Sequence, residues 1–265
     1  LPLSFAEYLT FNDIKPSEIG SRDAESELQN YLDYGSFPAT VLADTPELKR
    51  DYLSSLYDSI IVRDIITRHQ VKDVNALHQV ICFVFETVGK PFATSNIVNS
   101  IKSAGGKTSH ETVDDYISAL VDAFVLYPVD AYDNRGKRLF SSKRRYYVVD
   151  SGLRNTVVSP LSRNTGSLLE NIVFLELQRC GYRVFAGYTG DNEIDFVIRK
   201  GQDMAYVQVT ASLENEKTRE REFRSLNTIQ DNFPKYVLSL DRLNWSESGI
   251  LQVNLIDFLL GRQLI

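Results

Sequence analysis

The sequence predicts a mixed α/β (α+β) chain made of three successive units. Three observations predict it. Apolar residues recur at helical spacing through the first half, short period-two runs begin near residue 125, and helical and strand patterns then alternate to the end. The expected units are a helical N-terminal segment (1–70), a three-helix unit closed by a hairpin (71–160) and a small α/β domain (161–265).

In the first unit, Thr45-Pro46-Glu47 is a helix start: a capping hydroxyl, proline at the first helical position and an acid in the first turn. Leu48, Tyr52, Leu53, Leu56, Tyr57, Ile60 and Ile61 then fall on one helical face. The preceding Tyr34-Gly35-Ser36-Phe37-Pro38 reads as a loop. In the second unit a helix is expected over 74–88. A second runs over 95–103 capped by Thr94, and a third is capped by Ser109 and buries Val113, Tyr116, Ile117, Leu120 and Phe124. Strands at 125–132 and 145–149 follow, joined by Asp133-Asn134-Arg135-Gly136, which completes a winged-helix arrangement. The third unit reads as a helix over 168–180, strands at 183–187, 193–199 and 205–210, a charged helix over 214–230, a strand at 236–240 and a closing segment at 253–259. The charge run 214–224 fits a solvated helix face.

The totals exclude several classes. A net charge of −6 over 265 residues gives no overall attraction to phosphate polymers, so any nucleic-acid contact needs a local basic patch. Two cysteines, Cys82 and Cys180, make no disulfide framework and fit reduced thiols in a cytoplasmic protein. No signal peptide opens the chain, and no apolar run is long enough to span a bilayer. The chain is expected to be soluble, without membrane partners, and to be the C-terminal piece of something longer.

The richest chemistry lies in the third unit. Lys200-Gly201-Gln202-Asp203 reads as a two-residue hairpin turn, which sets Asp195 opposite Gln208 and Glu193 opposite Thr210. Opposed residues share a sheet face, so Glu193, Asp195, Gln208 and Thr210 are expected together. Two acids with oxygen-bearing neighbours are the donors Mg²⁺ prefers, which makes Asp195, Gln208 and Glu193 candidate metal ligands. Glu170 allows two readings. Ser167-x-x-Glu170 is a complete capping box, and the acid also stands one helix before the strand acids.

The order Glu170, Asp195, Gln208-Val209-Thr210 resembles the PD-(D/E)xK, or restriction-endonuclease-like, superfamily. The resemblance implies Asp195 as central metal ligand, Gln208 as second ligand and Glu170 as helix-borne acid. Thr210 stands where the family carries lysine and supplies no charge to an attacking water or a developing phosphorane. A solvent-facing sheet surface is the bland reading of Glu193 and Asp195.

Nucleic acid has one candidate surface. The third helix of the winged unit presents Glu111, Asp114, Asp115 and Asp122, which phosphates would repel. The hairpin instead carries Arg135, Lys137, Arg138, Lys143, Arg144 and Arg145 beside Phe140, Tyr146 and Tyr147, suited to DNA or RNA, to an acidic protein partner, or merely to solvent. Gly106-Lys107-Thr108 ends like a phosphate-binding loop, but Ile101 occupies the position of its first glycine, so no nucleotide site is expected.

As a whole, the chain resembles the C-terminal region of a prokaryotic family of predicted AAA-type ATPases whose rear half is a domain of unknown function. The matching stretches are Leu1-Pro2-Leu3-Ser4-Phe5 with Tyr8-Leu9, Tyr31-Leu32 through Pro38, Ile61-Val62-Arg63-Asp64-Ile65, Tyr146 through Arg154, Glu170-Asn171, and Glu193-Ile194-Asp195-Phe196. The family carries Glu-Val-Lys where this chain has Gln208-Val209-Thr210. The resemblance implies a lid-like role for 1–70 and ATP hydrolysis by an upstream ATPase domain absent from this chain. The expected function is an accessory region, catalytically degenerate, that binds nucleic acid or a protein partner under ATPase control. The alternatives are an active Mg²⁺-dependent nuclease and a pure protein-interaction module.

Overall fold

Capping chemistry starts the N-terminal helices. Ser4 opens α1 (Phe5–Phe11) with a full capping box, its hydroxyl accepting from the Glu7 N–H while the Glu7 carboxylate accepts from the Ser4 N–H. After α2 (Ser21–Tyr34) and α3 (Pro38–Val41), Thr45 caps α4 (Pro46–Ser59), which continues as a π-helical stretch, Ile60–Thr67. Leu53, Tyr57 and Ile61 of the predicted face are buried, whereas Leu48 and Tyr52 remain exposed. The computed structural model describes residues 1–136, 138–159, 164–190, 192–263 and 265, without the side chains of 140–143.

Three helices follow: α5 (Val74–Glu86), α6 (Thr94–Ser103) and α7 (His110–Asp122). Ser109 caps α7, but Ala93 and not Thr94 holds the cap position of α6; the Thr94 hydroxyl donates instead to Asp114 on α7. Phe124 also departs from expectation. The helix ends at Asp122, and Phe124 sits beyond it at φ +56° with its ring exposed, while Val113, Tyr116, Ile117 and Leu120 are buried.

The fold is a mixed α/β architecture around a seven-stranded sheet of order β2-β1-β3-β4-β5-β6-β7 among the described residues. Its strands are β1 (Leu126–Asp133), β2 (Arg138–Val148), β3 (Arg183–Thr189), β4 (Asn192–Lys200), β5 (Asp203–Val209), β6 (Lys235–Ser239) and β7 (Ile250–Asn254). The β1–β2 hairpin does not stand alone: β1 pairs in parallel with β3, so β2 becomes the edge of the same sheet. On one face pack α9 (Thr165–Arg179), the short α8 (Ser151–Asn155) and the N-terminal helices, around Leu169, Val173, Phe174, Phe196 and Val207. On the other, α10 (Glu216–Asn227) contributes Phe223 and Leu226 to a second core with Ile194, Val197 and Tyr206. A short α11 (Leu255–Leu259) ends the described elements.

Buried polar contacts stitch the first seventy residues to the rest. The Asp150 carboxylate accepts from the Ser36 and Leu153 N–H groups, and the Ser151 hydroxyl donates to the Tyr31 carbonyl at 3.0 Å. Burial raises the Asp150 carboxyl to about 6. No described helix is long and apolar enough to cross a membrane.

Two bulges position the site. In β4, the three steps from Val197 to Ile194 oppose the two from Phe185 to Gly187 on β3. In the hairpin, the path from Arg145 to Phe140 on β2 faces only Val129 to Ala131 on β1. Bulges of this kind re-aim the side chains next to them.

Candidate functional site

Glu170 owes its position to a helix that begins earlier than its sequence suggests. Asn164 is the N-cap of α9, its Oδ1 accepting from the Gly166 and Ser167 N–H groups. Ser167 therefore lies inside the helix, and the Ser167–Glu170 capping box does not form. The Glu170 carboxylate turns to the sheet, where its Oε1 accepts from the Tyr147 hydroxyl at 2.5 Å and lies 3.6 Å from Arg145 Nη1. The next residue locks the helix in place. Asn171 Oδ1 accepts from the Val148 N–H at 2.8 Å and its Nδ2 donates to the Val148 carbonyl at 3.0 Å, docking α9 on the edge strand. Period two puts Arg145 and Tyr147 on one face of β2, and the Tyr147 ring stacks on Phe174 at 4.4 Å. Gly89, in the turn after α5, completes this wall: at φ +76°, a Cβ there would lie 2.9 Å from Glu170 Oε1.

The β4–β5 ladder runs in the predicted register from Lys200↔Asp203 to Phe196↔Val207, and stops there. Side chains take over beyond it. The Asp195 N–H donates to Gln208 Oε1 at 3.0 Å, and the Val209 N–H donates to Asp195 Oδ2 at 2.8 Å. The expectation of one shared sheet face is corrected, because the β4 bulge resets the alternation. Glu193 turns toward Arg145 Nη2 at 3.3 Å, on the α9 side, whereas Gln208 Nε2 donates to Glu222 Oε2 of α10 at 2.7 Å. Thr210 does not pair with Glu193; its N–H donates to the Leu238 carbonyl and its hydroxyl lies 3.4 Å from the Ser212 carbonyl. Glu170, Glu193, Asp195, Gln208 and Thr210 nevertheless line a single cleft of about 540 Å³, together with Arg221 and Glu222.

Three residues of this site were not anticipated: Glu222, Tyr147 and Arg145 in its present role. Glu222 had a signal, since it lies one turn before Leu226 and beside Phe223 on the inward face of an otherwise charged helix. It is 4% exposed, and Arg221 pairs with its Oε1 at 2.5 Å. Arg145 leaves the predicted nucleic-acid surface altogether. It is 2% exposed, held between Glu170 and Glu193 with its guanidinium over the Tyr188 ring. Arg144 pairs with Asp130 at 2.8 Å. Arg135 and Arg138 are exposed on the hairpin, while Lys137 and the side chain of Lys143 lie outside the described residues. Glu111, Asp114, Asp115 and Asp122 are exposed on α7.

Burial pushes the Glu170 carboxyl well above the usual carboxylate range; the Asp195 charge adds to this and Arg145 opposes it. Asp195 is likewise raised, by burial first, with Arg145 and the Val209 N–H opposing and Glu222 and Glu193 adding. Among the described residues no three His, Cys, Asp or Glu side chains converge to hold a metal ion, and the Gln208 carbonyl oxygen and Asp195 Oδ2 are already accepting from N–H groups.

Two curated relatives match nearly the whole chain. An uncharacterized protein of Haemophilus influenzae is 37% identical over 260 residues, covering 98% of this chain and 63% of the relative. One of Methanocaldococcus jannaschii is 28% identical over 265 residues, covering 97% of this chain and 59% of the relative. The chain thus spans about six-tenths of the length of these relatives. Residues 25–165 match the family described as a domain of unknown function, DUF8612, and the chain belongs to that family.

Proposed function

We propose that this chain is a nuclease-like but catalytically silent accessory region of a longer ATPase-linked protein, and that it docks nucleic acid through the exposed tip of the β1–β2 hairpin. One observation carries the silence. Gln208, where the resembling nucleases place a metal-binding acid or glutamine, has its amide held at both ends, by the Asp195 N–H and by Glu222. Thr210 stands in the lysine position with a neutral hydroxyl, and no lysine lines the cleft among the described residues. The lysine that stands beside the attacking water in such nucleases has no counterpart here, and the cation that lines the cleft, Arg221, pairs with Glu222.

The docking half of the proposal rests on Arg135 and Arg138, which are exposed on a hairpin whose sequence also carries Lys137 and Lys143. The acidic face of α7 would turn phosphates away, so contact is expected at the hairpin and not at the third helix. Control by an upstream ATPase domain is what the family resemblance implies, and the greater length of the relatives leaves room for a further domain.

Two measurements on the same preparation test this. Supercoiled plasmid incubated with Mg²⁺ or Mn²⁺ should show no nicking above that of Asp195→Ala. Fluorescence anisotropy with short DNA and RNA oligonucleotides should show binding that weakens as salt rises and weakens further in Arg135→Ala/Arg138→Ala. Asp195-dependent nicking would establish the active nuclease instead. No binding at low salt would leave a protein-interaction module.

A further inference from the structure

Behind the acids that line the cleft lies a buried cation. Arg145 reaches Glu170 and Glu193 from the edge strand, and its surroundings are those of a captive counter-ion. Nη1 lies 3.6 Å from Glu170 Oε1, and Nη2 lies 3.3 Å from Glu193 Oε2 and 3.5 Å from the Tyr188 hydroxyl. The guanidinium carbon sits 5.6 Å from the centre of the Tyr188 ring. Among the described residues its Nε is buried without a hydrogen-bond partner, so the group is held by charge more than by complete hydrogen bonding. Asp195 joins Glu170 and Glu193 in the negative field around it.

We propose that Arg145 is the resident cation of this cleft, standing in for the divalent metal that such a set of acids would otherwise attract, and that it is a positioning residue for Glu170 and Glu193. A Mg²⁺ or Mn²⁺ ion bridging Glu170 and Asp195 would have to sit beside a buried guanidinium that cannot lose its proton. Glu170 Oε1 already accepts from Tyr147 and Asp195 Oδ2 from Val209, so such an ion would be confined to the second oxygen of each carboxylate or would have to displace these donors. The two hairpin arginines thus divide the work: Arg144 answers Asp130 near the surface, and Arg145, one residue on, neutralises the cleft. The inference rests on the cleft being the silent site proposed above, and it explains that silence from the cation side.

Calorimetric titration with MnCl₂ tests it. Wild type should show no saturable binding in the cleft. Arg145→Met, which keeps the aliphatic stem and removes the charge, should bind Mn²⁺ at least about tenfold more tightly than wild type, and adding Asp195→Asn should abolish that gain. A folded Arg145→Met that gains nothing would overturn the inference. Should that variant not fold, amide spectra of wild type decide the matter. Selective paramagnetic broadening of the Asp195 and Val209 resonances by Mn²⁺ would overturn it, and unbroadened resonances would support it. A wild type that binds Mn²⁺ without nicking DNA would sink the role of Arg145 alone. One that binds and nicks would sink the silent-site reading as well.

Discussion

The two walls of the cleft meet the same problem, a buried carboxylate, in opposite ways. On the α9 wall, Glu170 and Glu193 share a cation that is itself buried, Arg145 at 2% exposure. On the α10 wall, Glu222 is 4% exposed, but its partner Arg221 has 72% of its side chain in solvent, and a neutral amide, Gln208, provides the second contact. Glu193 itself is half in solvent, so on the first wall it is the Arg145–Glu170 contact that water cannot readily replace, whereas on the second the cation is the solvated partner. The buried cation and the solvated one therefore carry unequal stakes, and the comparison ranks the substitutions that would break it.

Arg145→Ala should be the most damaging, at about 3–5 kcal/mol, because it strands the mostly buried Glu170 carboxylate instead of merely deleting an attraction. Urea unfolding measures this, and a loss below about 1 kcal/mol would mean that the α9 wall is as well hydrated as its counterpart. Glu222→Ala should cost about 1–3 kcal/mol, since it leaves the Gln208 amide N–H₂ buried without an acceptor. Glu222→Gln, which can still accept, should recover part of that loss.

The proton balance gives a test confined to the acids. Glu170 and Asp195 have raised folded-state values against ordinary ones of 4.5 and 3.8. Their contribution to stability is complete below those ordinary values and is lost as pH rises through the raised ones. Glu170→Gln and Asp195→Asn should therefore gain thermal stability relative to wild type at alkaline pH, by roughly 2–4 °C in Tm, and lose that advantage near pH 4. An advantage independent of pH would contradict the burial argument. Arg221→Ala should matter least, under about 1 kcal/mol, because its charge is mostly solvated.

How much of this the sequence carried varies along the chain. Helix starts with strong caps were legible: Thr45-Pro46 and Ser109 open helices as their chemistry dictates. The β4–β5 register followed from the turn at Gly201, which sits at φ +62°. What was illegible arose where long-range contacts overrode local pattern. Ser167-x-x-Glu170 looks like a cap, yet Asn164 starts the helix and Glu170 finds Tyr147, distant in sequence. Strict alternation placed Glu193 beside Gln208, but a bulge, invisible to a period-two reading, turned them to opposite walls. Arg145 read as one more cation in a basic run, and only the pairing of β1 with β3 shows that its strand forms the edge of the sheet containing the site.

Crystals grown with MnCl₂ and measured at the manganese absorption edge examine the cleft most directly. The account predicts no anomalous peak between Glu170 and Asp195, with the Arg145 guanidinium still seated against Glu170 and Glu193. A peak ligated by Asp195 and the residue 208 side chain, with Arg145 displaced, would contradict it.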